Sequence, residues 1–392
     1  MSIALKMSRF AEKSSWIRKM FEEGIKMKAE FGADRVFDFS LGNPDVPPPP
    51  QFEHALREAV RDNSPGIHGY MPNGGYPWVR EALAARMAAE QGVNLGQADV
   101  LMTCGAAGAL NVVMKALLDP GDEVIILSPF FVEYHFYIDN HGGIARVVPC
   151  DTEFNPDLDA IEAAISERTK ALIINSPNNP TGQIYSQRAL DALGALLTAA
   201  GERHGTTIYL VMDEPYRDIV FDGHAVASTM RAYRQSIVLS SWSKSLSLAG
   251  ERIGFLGVHP DIDDKAALLD ALTLANRILG FVNAPALMQR VVAKLTNVSV
   301  DCGIYARRRT LFRAILDDAG FEYLDPKGAF YFFPRSPIED DVAFCGLLQE
   351  QKILAVPGRG FGTPGHFRLA FSVPDDVIER SAGGFQAAMQ AV

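Results

Sequence analysis

The 392-residue sequence predicts an α/β fold: a mostly parallel, seven-stranded sheet between helices, joined by a smaller α+β domain. Three observations lead there. Short apolar runs without strict alternation recur through the middle of the chain, helical patterns separate them, and the last quarter has strand patterns of its own. A strand buried on both faces reads as a continuous apolar run, and helices between such strands are the mark of parallel pairing.

The runs are Val100–Cys104, Glu123–Leu127, Ala145–Val148, Ala171–Asn175, Ile208–Met212, Ser236–Ser240 and Ile253–Gly257. The intervening helical patterns are Val79–Gln91, Ala107–Leu118, Asp157–Ser166 and Ser186–Ala200. Earlier, Ser14–Phe31 and Glu53–Arg61 also read as helices, on either side of the four prolines Pro47–Pro50. Four prolines make a stiff connector and speak against helix there. After a helical region through Leu311–Ala319 come the strand patterns Phe330–Phe333, Ile353–Val356 and Phe367–Phe371. The expected division is residues 1–50 as part of the small domain, 51–289 as the large domain and 290–392 as the small C-terminal domain.

Composition narrows the function. A net charge of −10 gives no electrostatic pull toward nucleic acid or an anionic membrane. No apolar run reaches the length of a bilayer span, and the first twenty residues lack a signal-peptide core. The four cysteines are scattered, and the eight histidines form no i, i+4 pair. Neither a disulfide framework nor a metal site is suggested. A cytoplasmic protein acting on small molecules is the expectation.

In such sheets ligands sit where strands end at their carboxyl side, and the polar motifs fall there. Lys244 follows a strand among Ser241, Ser243 and Ser245, with Arg252 close behind. Hydroxyls and an arginine around one lysine can cradle a phosphate. Asp213 ends the apolar strand before Glu214-Pro215-Tyr216, and a carboxylate there is costly to bury without a cationic partner. Pyridoxal 5'-phosphate unites these features, needing an amine, a phosphate cup and an acid for its ring nitrogen. The small residues Gly105, Ala106 and Ala107 open a helix, whose free N–H groups suit phosphate.

At these residues the sequence resembles the fold-type I pyridoxal-phosphate enzymes, specifically the class I/II aminotransferases. One signature appears as Ser241, Ser243, Lys244, Gly250 and Arg252; another as Asp213 and Tyr216; a third as Asn175-Ser-Pro-Asn-Asn179-Pro-Thr-Gly182. The likeness runs from Gly42 to Arg368 and implies a role for each residue. Lys244 carries the cofactor as a Schiff base and shuttles the substrate proton, while Asp213 pairs with the ring nitrogen. Tyr216 and Asn179 bond the ring's O3′. The amides of Gly105, Ala106 and Ala107 hold the phosphate together with Ser241, Ser243 and Arg252. Phe131 stacks on the ring, with Phe130 as the neighbouring alternative. Arg368 grips the substrate α-carboxylate, assisted by Gly42 and Asn179. Tyr70 and the Asn283–Pro285 segment reach the other subunit's site in a homodimer. Arg277 lies in a loop region that, by the same resemblance, approaches the partner subunit's active site, in uncertain register. The implied reaction moves an amino group between an amino acid and a 2-oxo acid in ping-pong fashion. A lyase on the same fold, such as a carbon–sulfur β-lyase, is the alternative, since both begin by removing the Cα proton.

Overall fold

A computed structural model describes residues 3–12 and 16–392. Contacts divide it into two compact units. The larger comprises residues 46–302 and 327–329, the smaller residues 1–45, 303–326 and 330–392.

Strand β1 (Phe37–Asp38) belongs to the smaller unit. The larger unit holds β2 (Val100–Thr103), β3 (Glu123–Ser128), β4 (Ile144–Pro149), β5 (Thr169–Asn175), β6 (Tyr209–Asp213), β7 (Ser236–Ser241) and β8 (Gly254–Val258). The smaller resumes with β9 (Tyr331–Phe332), β10 (Ile353–Leu354), β11 (Val356–Pro357) and β12 (Phe367–Ala370).

All seven apolar runs of the middle region become strands of one sheet, in the order β2-β8-β7-β6-β5-β3-β4. The five strands from β7 to β4 are mutually parallel, and β8 runs antiparallel to both β2 and β7. Their lack of alternation has a direct cause. In β5, Leu172 and Ile174 enter one apolar cluster while Ala171 and Ile173 enter another. Met212 and Leu210 of β6 join the first cluster and Val211 the second. Both faces are therefore covered, and each position removes apolar surface from water at about 25 cal/mol per Å². The edge strand β4 is the exception, with Ile144 and Val147 nearly half exposed.

Helices cover the sheet with the caps that the sequence signals. Asp157 and Ser186 each accept a backbone N–H from the first turn of the helix that follows, Leu158–Ala164 and Gln187–His204. One expectation is corrected. The proline run does not exclude helix to its end: Pro50 opens the helix Pro50–Arg61 with Pro49 as its N-cap. Proline suits the first helical position because no partner is needed there for the N–H it lacks. The helix read as Ser14–Phe31 spans Trp16–Phe31, residues 14 and 15 lying outside the described residues.

In the smaller unit, β1 pairs with β10 and a three-stranded sheet has the order β11-β12-β9. The single apolar run Ile353–Val356 thus splits between two sheets, breaking at Ala355. Helix Cys302–Ala319 extends well before the Leu311 of the sequence pattern. Among the described residues, no helix is long and apolar enough to cross a membrane.

Candidate active site

The parallel register brings the strand ends together. Asn175 closes β5 directly opposite Asp213 of β6. Asn175 Nδ2 donates to the Asp213 main-chain carbonyl at 2.8 Å, and its Oδ1 accepts the Asn179 N–H at 2.7 Å. One amide thus fixes the Asn179 loop against the end of β6. Within that loop Asn178 Oδ1 accepts both the N–H and the hydroxyl of Thr181. Asn179 and Tyr216 are themselves buried.

Asp213 is only 5% exposed. Its Oδ2 accepts the Tyr134 hydroxyl at 2.7 Å, while Oδ1 has no hydrogen-bond partner. Burial pushes its carboxyl up to about 7, against the downward pull of the Tyr134 hydrogen bond. Tyr134 is fully buried, and burial followed by the Asp213 charge holds its hydroxyl well above the ordinary tyrosine range. It therefore stays protonated and remains a donor. The Tyr134 ring also meets Phe131 edge-on at 5.7 Å. Phe131 is half-buried beside it, whereas Phe130 is buried in the core against His135. That contrast favours Phe131 as the exposed ring face.

Beyond β7 the chain turns through the single-turn helix Trp242–Ser245, capped by Ser241. Trp242 anchors the turn, buried against Phe255 at 5.1 Å. The Ser241 hydroxyl donates to that of Ser243 at 3.0 Å. Lys244 is half-buried, its Nζ 5.9 Å from the centre of the Tyr216 ring.

The helix Gly105–Leu117 begins beside Arg252. A Cβ at Gly105, where φ is +74°, would meet Arg252 Nη2 at 2.7 Å; one at Gly254 would meet the Gly105 carbonyl carbon at 2.6 Å. Both glycines are required for the helix start to come this close to β8 and the guanidinium. Arg252 itself sits at φ +53° and donates to the Ala249 carbonyl at 2.8 Å. Ala106 and Ala107 follow Gly105 in the first turn, where backbone N–H groups lack helical acceptors. Gly105 and Arg252 thus share one corner.

Tyr70 is 93% exposed, so its own chain does not pack it against this cluster. Arg277, in the last turn of helix Lys265–Ile278, is exposed as well.

Arg368 and Gly42 form a second cluster, within the smaller unit. Arg368 is 2% exposed and donates from Nη2 to the Ser40 carbonyl at 2.5 Å. Its guanidinium carbon lies 4.7 Å from the Tyr331 ring centre and 4.9 Å from that of Phe361. Gly42 lies under Tyr331: a Cβ there would fall 1.9 Å from the Tyr331 hydroxyl oxygen.

Tyr134, Asn175, Tyr331 and Phe361 carry no role in the sequence reading. Asn175 stood inside a quoted motif without one. For Tyr134 the available signal was a large polar aromatic three residues past Phe131, which needs a hydrogen-bond partner if buried.

The family model described as aminotransferase class I and II matches residues 34–385. The chain is 32% identical to the aspartate/prephenate aminotransferase of Thermus thermophilus, over 90% of this chain and 91% of that protein. It is 31% identical to the aspartate aminotransferase of Geobacillus stearothermophilus, over 94% and 95%. Among solved structures, an aminotransferase from Eubacterium rectale superposes with a TM-score of 0.96 at 37% identity, covering 100% of this chain and 99% of that one. The Thermus thermophilus aspartate aminotransferase with maleate gives 0.87 at 27%, over 99% and 100%. The fold is that of the pyridoxal-phosphate-dependent transferases, and the chain belongs to the class I and II aminotransferase family.

Proposed function

We propose that this chain is a pyridoxal-5'-phosphate-dependent aminotransferase exchanging an amino group between an amino acid and a 2-oxo acid. One observation supports it above the rest. Asp213 is a deeply buried carboxylate with one oxygen lacking a hydrogen-bond partner and with its carboxyl pushed up to about 7 by burial. A buried charge of this kind asks for a cation. A protonated pyridine nitrogen, bringing both N–H and positive charge, fits that atom.

When bound, the cofactor holds the electrons released at the substrate Cα and carries the amino group between the two halves of the reaction. Lys244 would hold it through Nζ and, with its amine free, would take the substrate Cα proton and return it on the other side of the exchange. Asp213 Oδ1 keeps the ring nitrogen protonated. Tyr216 and Asn179 bond the ring oxygen O3′, and Phe131 covers one ring face. The amides of Gly105, Ala106 and Ala107, the hydroxyls of Ser241 and Ser243 and the Arg252 guanidinium hold the phosphate. Arg368 would take the substrate α-carboxylate through its fork, an arrangement a lysine lacks, and Gly42 and Asn179 are likewise assigned to substrate binding.

The same reading makes the active unit a homodimer with shared sites. Tyr70, Trp78, Leu274 and Ile278 are large apolar or aromatic side chains at least 46% exposed on the larger unit. A second subunit would cover such residues, and Tyr70 would then serve the partner's phosphate cup. Aspartate is the first donor to try, since the relatives are named for it.

The test is spectroscopic. An amino donor alone should convert the bound cofactor's absorbance once, stoichiometrically, and stop; a 2-oxo acid should restore it. Continuous release of ammonia and pyruvate from a β-substituted donor, without that conversion, would make the protein a lyase. Lys244→Ala should fold, bind cofactor without a covalent bond and lose turnover.

A further inference from the structure

Tyr70 stands out in solvent, yet the chain just beyond it is bonded at almost every residue. Residues 71–76 form neither helix nor strand. The Met71 and Pro72 carbonyls accept from Asn283 Nδ2 at 3.2 and 3.0 Å. The Asn73 carbonyl accepts from Asn276 Nδ2 at 3.0 Å, and that of Gly74 from the Met102 N–H of β2 at 2.9 Å. The Tyr76 N–H donates to Gln289 Oε1 at 3.0 Å. In return, Asn73 Nδ2 donates to the Val282 carbonyl at 3.0 Å. Gly75 lies close beneath: a Cβ there would fall 2.5 Å from Met102 Cγ and 2.8 Å from Gln289 Oε1.

The backbone of a surface loop ordinarily bonds water. Here three side-chain amides take that place, and two of them, Asn276 and Gln289, are wholly buried. Each is tied at its other side to fixed structure. Asn276, in helix Lys265–Ile278, also donates to the Met102 carbonyl of β2 at 3.4 Å. Gln289, in helix Ala286–Val292, donates to the Ala284 carbonyl at 2.9 Å. Buried amides with both ends engaged hold a backbone firmly, because breaking one strands its partners away from water. Such a stem under a side chain that its own subunit leaves exposed points to a contact made elsewhere. A loop ordered in this way loses its backbone freedom on folding, and so loses little more when a partner arrives.

We propose that Asn276, Asn283 and Gln289 are positioning residues for Tyr70: they fix the stem of its loop within one subunit, so that its hydroxyl is preset for the phosphate held by the other. This rests on the reading of Tyr70 as a contact to the partner's phosphate, and the experiment separates the two. Wild type, Gln289→Met, Tyr70→Phe and the double variant are compared at concentrations where subunits pair. Gln289 is buried in its own chain, so it acts on the other subunit's site only through the chain around it. Pyridoxal phosphate affinity is measured by equilibrium dialysis, and hydrogen exchange is followed in the cofactor-free protein. Tyr70→Phe should weaken the cofactor about threefold to tenfold, the range of one hydrogen bond. Gln289→Met should weaken it by up to the same factor, and should add less than about twofold once the Tyr70 hydroxyl is gone. The limiting rate of the half-reaction at saturating cofactor should stay within about twofold in Gln289→Met. Its residues 71–76 should exchange at least about tenfold faster than in wild type, with β5 and β6 unchanged.

A loss of affinity in Gln289→Met that is the same with and without the Tyr70 hydroxyl would overturn the proposal by showing a general structural defect. So would a fall in limiting rate at saturating cofactor. Wild-type affinity in Gln289→Met beside a weakened Tyr70→Phe would overturn it alone and leave the role of Tyr70 standing. Unchanged exchange over residues 71–76 would show that the amide does not hold the stem, against the proposal. Tyr70→Phe with undiminished cofactor affinity would sink the parent reading, and the proposal with it. Should Gln289→Met unfold, as judged by thermal melting, Asn73→Ala runs the same cycle by removing the bond to the Val282 carbonyl.

Discussion

The carboxylate ending β6 and the guanidinium in the middle of β12 are both buried charges, and the chain satisfies them in opposite ways. Arg368 has a carbonyl on one N–H and two aromatic rings within 5 Å of its guanidinium carbon, all from the polypeptide. Asp213 has one hydroxyl, and its second oxygen has no hydrogen-bond partner. The next residue sharpens the contrast. Glu214 is just as buried and its carboxyl is also pushed up to about 7, yet Arg217 bonds it at 2.9 Å and Gln91 reaches both oxygens at 3.3 Å. A fold can bury an acid and supply its cation internally. At Asp213 it does not, and the deficit points outward to a ligand. Arg368 is a finished tool, and Asp213 is half of a pair.

Removing that half should have the largest effect. Asp213→Asn should lower the rate of the half-reaction by roughly 10²–10³-fold, the scale on which preorganised electrostatic groups act. The cofactor-free protein should respond in the other direction. The folded carboxyl is raised far above its ordinary 3.8. Its contribution to stability is thus complete at low pH and is lost as pH rises through about 7. The cofactor-free Asn variant should escape this loss and be the more stable by on the order of 2 kcal/mol at pH 8. Denaturant melts of both proteins at pH 4 and pH 8 would read it; parallel pH profiles would mean that Asp213 already has its partner.

Arg368→Ala should come next, weakening every α-carboxylate substrate by about 2–5 kcal/mol, the usual loss for truncating one member of a buried charge pair. The loss should be uniform across a donor panel, since all donors share that carboxylate. Damage confined to acidic donors would mean that Arg368 reads side chains.

Tyr134→Phe should be milder. It keeps the ring against Phe131 and removes one hydrogen bond to a charged group, so cofactor affinity should fall about tenfold. The pH at which that affinity weakens should rise with the Asp213 carboxyl, which loses the contact holding it down. Affinity measured by dialysis between pH 6 and 9 checks this; an unmoved midpoint would reduce Tyr134 to packing. The smallest signal is expected from Tyr70→Phe. It should leave the folded subunit unchanged, because Tyr70 is almost wholly exposed there, and weaken phosphate binding only where a second subunit is present. Cofactor affinity across the dimer dissociation range would detect it.

Much of this was legible before any coordinates, and the limits have physical causes. The strands other than the edge strand β4 were readable because burial on both faces leaves an uninterrupted apolar run. Their mostly parallel direction was readable from the helices between them, whereas the reversal of β8 was not foreseen. Asp213, Lys244 and Arg252 stood out as charges at apolar strand ends. Tyr134 did not, because a buried tyrosine bonded to a carboxylate and one that merely fills the core have the same spelling. The pairing of Arg368 with Tyr331 was hidden by distance along the chain. Pro50 misled because proline breaks a helix interior but begins a helix well.

The place of β8 has a consequence for synthesis. Strand β2 can join the sheet only through β8, which lies between it and β7. As the chain leaves the ribosome, Gly105 and its helix therefore emerge long before Gly254 and Arg252, the residues they must meet. Until then β2 has no place in the sheet, and its apolar residues are open to wrong partners. The corner assigned to the phosphate is thus assembled from an early segment that waits and a late one that locks it. A chain stalled after β7 and before Arg252 could build its parallel strands and still have no place to hold a phosphate.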